Sequence, residues 1–464
     1  MARRITTLLA LSLLCVAAPA IAAPEPATFE KRLDMFVTTE MQAEKVPGVA
    51  IAVLRRGEVI LAKGYGEADV ENAVSVTPDT IFQSGSVGKM FTAAAVMSQV
   101  ERGLMRLEDP VGKYLPDAPP TWRTMTVRHL LTHTSGVANY GSDFDYRRDY
   151  SDDELTKIAY ELPLDFEPGA RWNYSNTGYA LLGILIKKAS GRSYLDVLDT
   201  DVFKPLGMKT ARGISESDIV PHRASGYHLV GGVLKNQEWV SPSLNTTADG
   251  SLYFSLNDMI GWARGVEQGR VLTPASWQQI YTPVKLNSGK SYPYGFAWRI
   301  DKAGGYPRYH HGGAWQGFRT YFSRYLGDDI SIILLTNSAD TKLETFVDGI
   351  AKTWDPALVA RGPTPAAQPD IERRVSEMIE KARNGSLDQK DIPLAADGFT
   401  QRANPYFSDV LKKLGPLTKL RIVDRAELGD DMLYTYEAAF GERIVTVSLG
   451  VASDGRASSF MIEN

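Results

Sequence analysis

Ser86 and Lys89 stand at a spacing that can do chemistry. They follow a glycine-punctuated turn and open an apolar segment, which predicts a helix that ends at Gly103. Positions i and i+3 share one face of a helix, so a hydroxyl and an amine would lie one turn apart. A neutral amine at that place can take the proton of a serine nucleophile. Because this spacing also arises by chance in a chain of 464 residues, other residues must support the interpretation.

A second pair is Tyr174 and Asn176, which precede an apolar helix predicted over residues 179–189. Residues two apart in an extended segment point to the same side. A phenol beside a lysine amine can serve as a base or as a proton relay. A core tyrosine whose hydroxyl is hydrogen-bonded is the alternative interpretation of Tyr174 alone.

A third segment, residues 309–318, reads Tyr-His-His-Gly-Gly-Ala-Trp-Gln-Gly-Phe. A glycine-rich strand edge lets a substrate lie against the backbone. A backbone N–H exposed there, together with the N–H of Ser86, would form an oxyanion hole. The alternative is a tight turn before a strand predicted over residues 318–325.

His129 and His133 lie four residues apart, a spacing that could bind a metal ion. The zinc-protease pattern needs a glutamate directly after the first histidine, and Leu130 stands there. We therefore predict a structural role for both histidines, no metal site and no cofactor.

Composition narrows the class of protein. The chain is 44% hydrophobic with a formal net charge of -4, which suits a large core and more than one domain. Long basic runs are missing from the sequence, so no nucleic-acid partner is predicted.

The N-terminus reads as a secretory signal, residues 1–22. It has a basic start at Arg3 and Arg4, an apolar run over residues 8–18 and an Ala-Ile-Ala cleavage site ending at Ala22. The run is too short for a membrane span, so no integral membrane segment is predicted. The single cysteine, Cys15, lies inside this segment, and a lipid attachment there is disfavoured by the bulky leucine before it. The predicted location is the periplasm or the outside of the cell, with a mature protein that has no thiol chemistry.

Residues 23–354 predict an α+β domain. Strong β patterns stand at its two ends, helical patterns stand in its middle, and an amphipathic helix closes it. We expect one antiparallel sheet flanked by helices, with a helical subdomain beside it and a cleft between the two. The predicted elements are a hairpin turning at Arg56-Gly57, helices over 127–134, 179–189, 256–267 and 343–354, a hairpin near Gly231-Gly232, and strands over 294–300, 318–325 and 330–337.

Residues 355–370, rich in proline and alanine, predict a linker. Residues 371–464 then predict a small α+β domain with two helices, the second over 403–414, and four strands over 418–425, 431–440, 443–451 and 457–463. It carries no catalytic set, and we interpret Asp388, Asp391, Asp430 and Asp431 as a solvated face rather than a metal site. We expect the domain to modulate access, to stabilise the first domain, or to dock a partner or a second subunit.

Ser86-x-x-Lys89, Tyr174-x-Asn176 and a His-x-Gly element, in that order, resemble the serine β-lactamase-like hydrolases. This group contains the class C β-lactamases, the DD-peptidases and the family VIII carboxylesterases, and the resemblance covers roughly residues 30–352. It implies that Ser86 is the nucleophile, Lys89 its activating partner and Tyr174 the group that shuttles the proton.

The resemblance also implies that Asn176 binds substrate. His311-Gly312-Gly313 would occupy the Lys-Thr-Gly position of the β-lactamases, with His310 as the competing choice, and the N–H of Ala314 would be the second oxyanion donor.

Histidine in place of lysine is the main departure from that pattern. A lysine is a permanent cation for a β-lactam carboxylate, whereas a histidine with an ordinary pKa of about 6.5 is mostly neutral at pH 7. The predicted function is an exported serine hydrolase that forms an acyl-enzyme on Ser86 and cleaves ester or peptide bonds of a small-molecule or peptide substrate, D-amino-acid and β-lactam substrates included. The alternative is a catalytically weak cell-wall peptide-binding or regulatory module.

Overall fold

The computed structural model describes residues 26–141, 144–360, 362–395 and 398–463. The predicted secretory signal, with Cys15 and the cleavage site at Ala22, lies outside these ranges. Within them, none of the helices combines the length and the hydropathy that a bilayer crossing requires.

The described residues form helices and strands that we number in chain order. The α-helices are α1 Pro26–Glu44, α2 Gly88–Glu101, α3 Val127–Leu131, α4 Asp152–Glu161, α5 Asn176–Ser190, α6 Tyr194–Leu198, α7 Lys204–Leu206, α8 Leu256–Glu267, α9 Pro274–Ile280, α10 Leu343–Trp354, α11 Pro369–Arg383 and α12 Phe399–Leu414. The strands are β1 Gly48–Arg55, β2 Glu58–Asp69, β3 Val74–Ser75, β4 Ile81–Gln83, β5 Arg212–Gly213, β6 Tyr227–Val230, β7 Val233–Asn236, β8 Leu252–Ser255, β9 Val284–Lys285, β10 Ser291–Tyr292, β11 Arg299–Ala303, β12 Tyr306–Trp315, β13 Phe318–Tyr325, β14 Ile330–Thr336, β15 Lys419–Leu428, β16 Asp431–Phe440, β17 Arg443–Ala452 and β18 Ala457–Glu463.

A seven-stranded sheet in the order β11-β12-β13-β14-β1-β2-β3 joins the two ends of the first domain. Its strands pair antiparallel, as predicted. The central strand β1 is an unbroken apolar run because both of its faces are covered: Ile51 and Val53 pack with α1 and α10, and Ala50 and Ala52 pack with the helical part. The catalytic candidates lie on the side of the helical part.

Several elements confirm the sequence predictions. The hairpin that joins β1 to β2 turns at Arg56 and Gly57, both with positive φ. The bounds of α8, α10 and β13 agree with the predicted ones, since each has strong periodicity and a clear turn or cap at its ends. The hairpin at Gly231-Gly232 joins β6 to β7.

Two predicted elements of the first domain differ from the structure. The strand predicted over 294–300 is wrong for residues 294–298: β11 begins only at Arg299, because Ala297 takes φ +63° and the N–H of Phe296 donates to the carbonyl of Ile280. The helix predicted over 127–134 ends at Leu131, since His133 takes φ +57°. Both deviations serve the site described below.

The C-terminal domain packs α11 and α12 on one face of a four-stranded antiparallel sheet, β15-β16-β17-β18. Alternate residues of β16 enter its core, as period-two patterning predicts. Helix α12 begins at Phe399, a turn earlier than predicted. Within the predicted linker, residues Pro356–Val359 form a 3₁₀ turn whose Leu358 is buried in the core of the first domain.

The interpretation of Asp431 as part of a solvated face is wrong. Its carboxylate accepts a hydrogen bond of 2.8 Å from Arg171, in a pair whose side chains are 31% (Arg171) and 20% (Asp431) exposed. The sequence pattern could not show this, because the partner stands in the other domain.

Candidate active site

Ser86 lies in a 3₁₀ turn, Gly85–Val87, that leads into α2. The residue before this turn, Ser84, is held from three directions. Its N–H donates to the carbonyl of Leu252 over 2.8 Å, its hydroxyl donates to the carbonyl of Gly250 over 2.6 Å, and its own carbonyl accepts from the hydroxyl of Thr320 over 2.5 Å. These contacts fix the nucleophile candidate between β8 and β13.

Glycines permit the close approach of backbone around this turn. A Cβ atom on Gly313 would lie 2.3 Å from the carbonyl oxygen of Ser84 and 3.0 Å from the amide nitrogen of Ser86. A Cβ atom on Gly250 would lie 2.3 Å from the carbonyl oxygen of Gly85. Real Cβ atoms do not approach so closely, so glycine is required at both positions.

Lys89 is fully buried and contacts the nucleophile candidate. Its Nζ lies 3.2 Å from Oγ of Ser86 and 2.7 Å from Oδ1 of Asn176, and it also donates to the backbone carbonyl of Asp249. A lysine ammonium has three N–H bonds for these three partners, and after loss of one proton the amine keeps two N–H bonds for the carbonyl oxygens and a lone pair for the hydroxyl of Ser86. The contact with Ser86 is within the range of proton transfer.

Tyr174 lies on the other side of Lys89. The centroid of its ring is 4.9 Å from Nζ of Lys89, and its backbone carbonyl accepts from the side-chain amide of Asn139 over 2.9 Å. The hydroxyl of Tyr174 is buried, and no described residue hydrogen-bonds it. The phenol oxygen therefore keeps its hydrogen-bonding capacity for a partner other than the described residues, as a proton shuttle requires.

His133 contacts the residues on both sides of Tyr174. Its carbonyl accepts from the N–H of Asn173 over 2.9 Å, its Nδ1 accepts from the N–H of Ser175 over 3.1 Å, and its ring lies 4.3 Å from that of Tyr174. Burial, with the charge of Lys89 beside it, holds the pKa of His133 well below its ordinary value. The neutral ring therefore keeps Nδ1 as an acceptor and fixes the segment that carries Tyr174.

His129 and His133, which the sequence predicts to be structural, make their hydrogen bonds at opposite ends of α3. Nδ1 of His129 accepts from the N–H of Thr126 over 3.2 Å, which caps the start of the helix. Across the described ranges, no three histidine, cysteine or acidic side chains come together as a metal site would need.

Replacing His133 with leucine should lower kcat by about 10-fold or more, because a misplaced Tyr174 transfers protons poorly. His133→Asn should retain most of the activity, since its Oδ1 can accept from Ser175 and asparagine tolerates a positive φ. The measurement is steady-state kinetics beside thermal melting. His129→Leu is the matched control, and an equal loss of kcat in both leucine variants would contradict the positioning role.

His311 lies beside Tyr174, with ring centroids 6.1 Å apart. Its Nδ1–H donates to the carbonyl of Gly312 over 2.7 Å, so Nε2 is the acceptor of a 3.0 Å bond from the hydroxyl of Tyr294. Burial, together with the charges of Arg299 and Lys89, holds the pKa of His311 well below its ordinary value. His311 is therefore neutral, and both of its nitrogens are occupied within the protein.

His310, the competing candidate, makes its contacts elsewhere. Its Nδ1 pairs with the hydroxyl of Tyr321 over 2.7 Å and its Nε2 pairs with the carboxylate of Asp301 over 3.1 Å. Successive residues of a strand face opposite sides of the sheet, which separates His310 from His311.

The register of β12 defines a second backbone donor. A two-residue turn joins Trp315 to Phe318, so the N–H of Ala314 faces away from β13. Strand β11 pairs only as far as His310, and a Cβ atom on Gly85 would lie 2.4 Å from the amide nitrogen of Ala314. The backbone segments that carry the N–H groups of Ser86 and Ala314 thus pack against each other, as an oxyanion hole requires.

Gly313→Ala should lower kcat by about 10²- to 10³-fold, because the methyl group would push the Ala314 edge away from Ser86. Gly312→Ala is the matched control: its Cβ atom would meet no side chain closer than 3.4 Å. The measurement is kcat for both variants, with melting temperatures to correct for folded fraction. Equal activities would contradict the oxyanion assignment.

Sequence reasoning missed three groups at this site. The carbonyl of Asp249 is 160 residues from Lys89 in the chain, and a backbone acceptor leaves no sequence signal. Tyr294 was included only in a predicted strand. Arg299 is exposed at the site, with its guanidinium 5.8 Å from the ring centroid of Trp172, and only its position just before the His-His segment could have drawn attention to it.

Comparison with known proteins agrees with this geometry. Residues 33–351 match the family model described as Beta-lactamase. The chain belongs to this family. As a Beta-lactamase family protein it is a serine hydrolase, which confirms the resemblance stated from the motifs.

Its relatives include penicillin-binding proteins and peptidases. A penicillin-binding protein of Bacillus subtilis is 28% identical over 336 residues, 68% of this chain and 74% of that protein. The D-aminopeptidase of Gluconobacter oxydans is 27% identical over 403 residues, 83% of this chain and 75% of that protein.

Among solved structures, an octameric penicillin-binding protein homologue from Pyrococcus abyssi has a TM-score of 0.62 and 25% identity, covering 93% of this chain and 95% of that one. The D-amino acid amidase of Ochrobactrum anthropi, complexed with L-phenylalanine amide, has a TM-score of 0.62 at 23% identity, covering 70% of this chain and 98% of that one. The second likeness is one of fold. The first extends beyond the Beta-lactamase region into the C-terminal domain.

Proposed function

We propose that this Beta-lactamase family hydrolase cleaves amide bonds of small peptides or amino-acid amides, and related esters, through an acyl-enzyme on Ser86. The observation that carries the proposal is the contact of 3.2 Å between Nζ of Lys89 and Oγ of Ser86, in a partly buried site near the hydroxyl of Tyr174, which is unpaired among the described residues. A hydroxyl within reach of an amine, with a second proton carrier beside it, is what an activated serine needs.

The reaction proceeds in two halves. With Lys89 as the neutral amine, Oγ of Ser86 attacks the substrate carbonyl carbon while its proton passes to the Lys89–Tyr174 pair, and the N–H groups of Ser86 and Ala314 hold the oxyanion. The C–N bond breaks as Tyr174 delivers the proton to the leaving amine, which gives the acyl-enzyme. Water then attacks the ester, its proton returns through the same pair, and the acid leaves from Ser86.

The electrostatics of the third motif favour amides over β-lactams. A neutral His311 whose nitrogens are both engaged offers no cation to a ring carboxylate. The relatives named D-aminopeptidase and D-amino acid amidase act on D-amino-acid compounds according to their names, and they supply the first substrates to test.

The decisive experiment is a substrate panel against wild type and Ser86→Ala. It contains D- and L-amino-acid p-nitroanilides, p-nitrophenyl esters and a chromogenic cephalosporin. We expect Ser86-dependent turnover of a D-amino-acid anilide and an ester. For the cephalosporin we expect kcat/KM to be about 10- to 10²-fold lower than for the best anilide. That factor corresponds to the loss of one charge-assisted hydrogen bond. A cephalosporin that is the best substrate would overturn the amide assignment.

We also propose that the protein is exported. The basic residues Arg3 and Arg4, the apolar run and the small residues up to Ala22 support this. Mass spectrometry of the protein from its native cells should find a mature N-terminus at Ala23. A full-length chain retained in the cytoplasm would contradict export.

A further inference from the structure

A turn of the C-terminal domain, residues 428–431, contacts two separate segments beside the site. We refer to it as the buttress turn. Its Asp431 pairs with Arg171 over 2.8 Å, and the N–H of Gly429 donates to the carbonyl of Ser291 over 3.1 Å. A Cβ atom on Gly429 would lie 2.6 Å from Leu286, so the turn also packs closely on the β9–β10 hairpin.

The residues that follow these two contact points stack on one another. Trp172 follows Arg171, and Tyr292 follows Ser291; their rings lie 4.4 Å apart at an angle of 8°. The buttress turn therefore contacts both segments of the stacked pair. An aromatic pair in this geometry is worth about 0.5–1.5 kcal/mol beyond the area that it buries.

The stacked pair leads directly into the catalytic candidates. Trp172 contacts the ring of His133 at 5.9 Å and that of Tyr294 at 5.4 Å. His133 brackets Tyr174, and the hydroxyl of Tyr294 donates to His311. The segments that carry Tyr174 and Tyr294 therefore continue directly from Arg171 and Ser291, the two residues that the buttress turn contacts.

We propose that the buttress turn is a positioning element for catalysis. Its contacts with Arg171 and Ser291 fix the position of the Trp172–Tyr292 pair, and that pair in turn fixes the positions of Tyr174 and His311. The inference rests on the proposed role of Tyr174 in proton transfer. It assigns to the C-terminal domain a task within the active site of its own chain.

The test uses the full chain with the substitution Asp431→Arg, which replaces the ion pair with Arg171 by two arginines whose charges repel. We expect kcat for the best panel substrate to fall by about 10-fold or more, with KM changing much less, because the misplaced group is a proton carrier and not a binding group. Arg171→Asp in the same chain restores an ion pair of opposite polarity and should recover most of the lost kcat. Asp431→Asn, a milder change, should fall between wild type and Asp431→Arg.

Asp409→Arg is the matched control. It makes the same substitution in the same domain. It breaks an exposed ion pair on α12, in which Nζ of Lys413 lies 2.7 Å from the carboxylate of Asp409. It should leave kcat unchanged. Near-ultraviolet circular dichroism follows the aromatic stack independently of turnover, and its signal should change in Asp431→Arg but not in Asp409→Arg.

The outcomes separate this proposal from the proposed function. Wild-type kcat and an unchanged aromatic signal in both Asp431 variants would overturn the buttress role and leave the hydrolase assignment intact. A loss of activity that merely follows the folded fraction, without rescue by Arg171→Asp, would also overturn it. A wild-type chain without Ser86-dependent turnover would overturn the proposed function, whatever the aromatic signal shows.

Discussion

Ser86→Ala should abolish turnover of every substrate of the wild-type protein, with kcat lower by about 10⁴-fold or more, since removal of a serine nucleophile in comparable enzymes costs at least that much. The physical reason is that Ser86 is the only hydroxyl among the described residues that hydrogen-bonds Nζ of Lys89. The measurement is the initial rate at saturating p-nitrophenyl ester and at saturating amino-acid anilide.

The control for this experiment is Ser288→Ala, which changes an exposed serine of the β9–β10 loop. Its rate should equal that of the wild type. The fold of Ser86→Ala should persist, because the hydrogen bonds that hold the turn are made by Ser84 and not by the side chain of Ser86. A Ser86→Ala protein that keeps more than a trace of both activities would show that the nucleophile lies elsewhere.

Lys89→Met should lower kcat by about 10²- to 10⁴-fold, the usual contribution of a positioned acid–base group. It should also lower the free energy of unfolding by about 1–3 kcal/mol, because Oδ1 of Asn176 and the carbonyl of Asp249 lose their donor in a partly buried site. The measurements are kcat and denaturant unfolding.

Lys89→Arg separates the two tasks of this side chain. Arginine keeps a cation and several donors but does not give up a proton near neutral pH. If Lys89 carries the proton of Ser86, the arginine variant should be nearly as inactive as Lys89→Met. Activity within a few-fold of the wild type in Lys89→Arg would contradict proton transfer by Lys89 and leave Tyr174 as the base.

Local patterns accounted for much of the fold. Strands such as β13 and helices such as α8 are visible because their hydrophobic periods are unbroken and turn residues stand at their ends. The pair Ser86 and Lys89 was visible for the same reason: their contact is made within one turn of one helix. The sequence therefore predicted best those contacts that form between residues close together in the chain.

The remaining part of the site depends on contacts across the chain. Tyr294 reaches His311 only because the backbone at Ala297 turns with positive φ and delays the start of β11, which an apolar strand pattern hides. The carbonyl of Asp249 and the glycine contacts around Ser86 are backbone features, and residue types do not reveal their partners. Asp431 looked like ordinary surface, because its arginine lies 260 residues earlier.

The neutral state of His311 shows how one observation can refine a motif. The resemblance already indicated that a histidine replaces the expected lysine. The structure adds the cause of its neutrality, which is burial beside two cations, and shows that Gly312 and Tyr294 engage both ring nitrogens. Specificity then has to come from other contacts, not from a cation at this position.

The most direct test of the central claim is to trap the acyl-enzyme and locate it. Wild-type protein is mixed with a slowly deacylating ester or a fluorescent penicillin, quenched in acid and mapped by peptide mass spectrometry. We predict one added acyl group per chain, on the peptide that contains Ser86, and none in Ser86→Ala. Turnover of the ester with the acyl group on another residue, or a burst of product without any adduct on Ser86, would contradict the account.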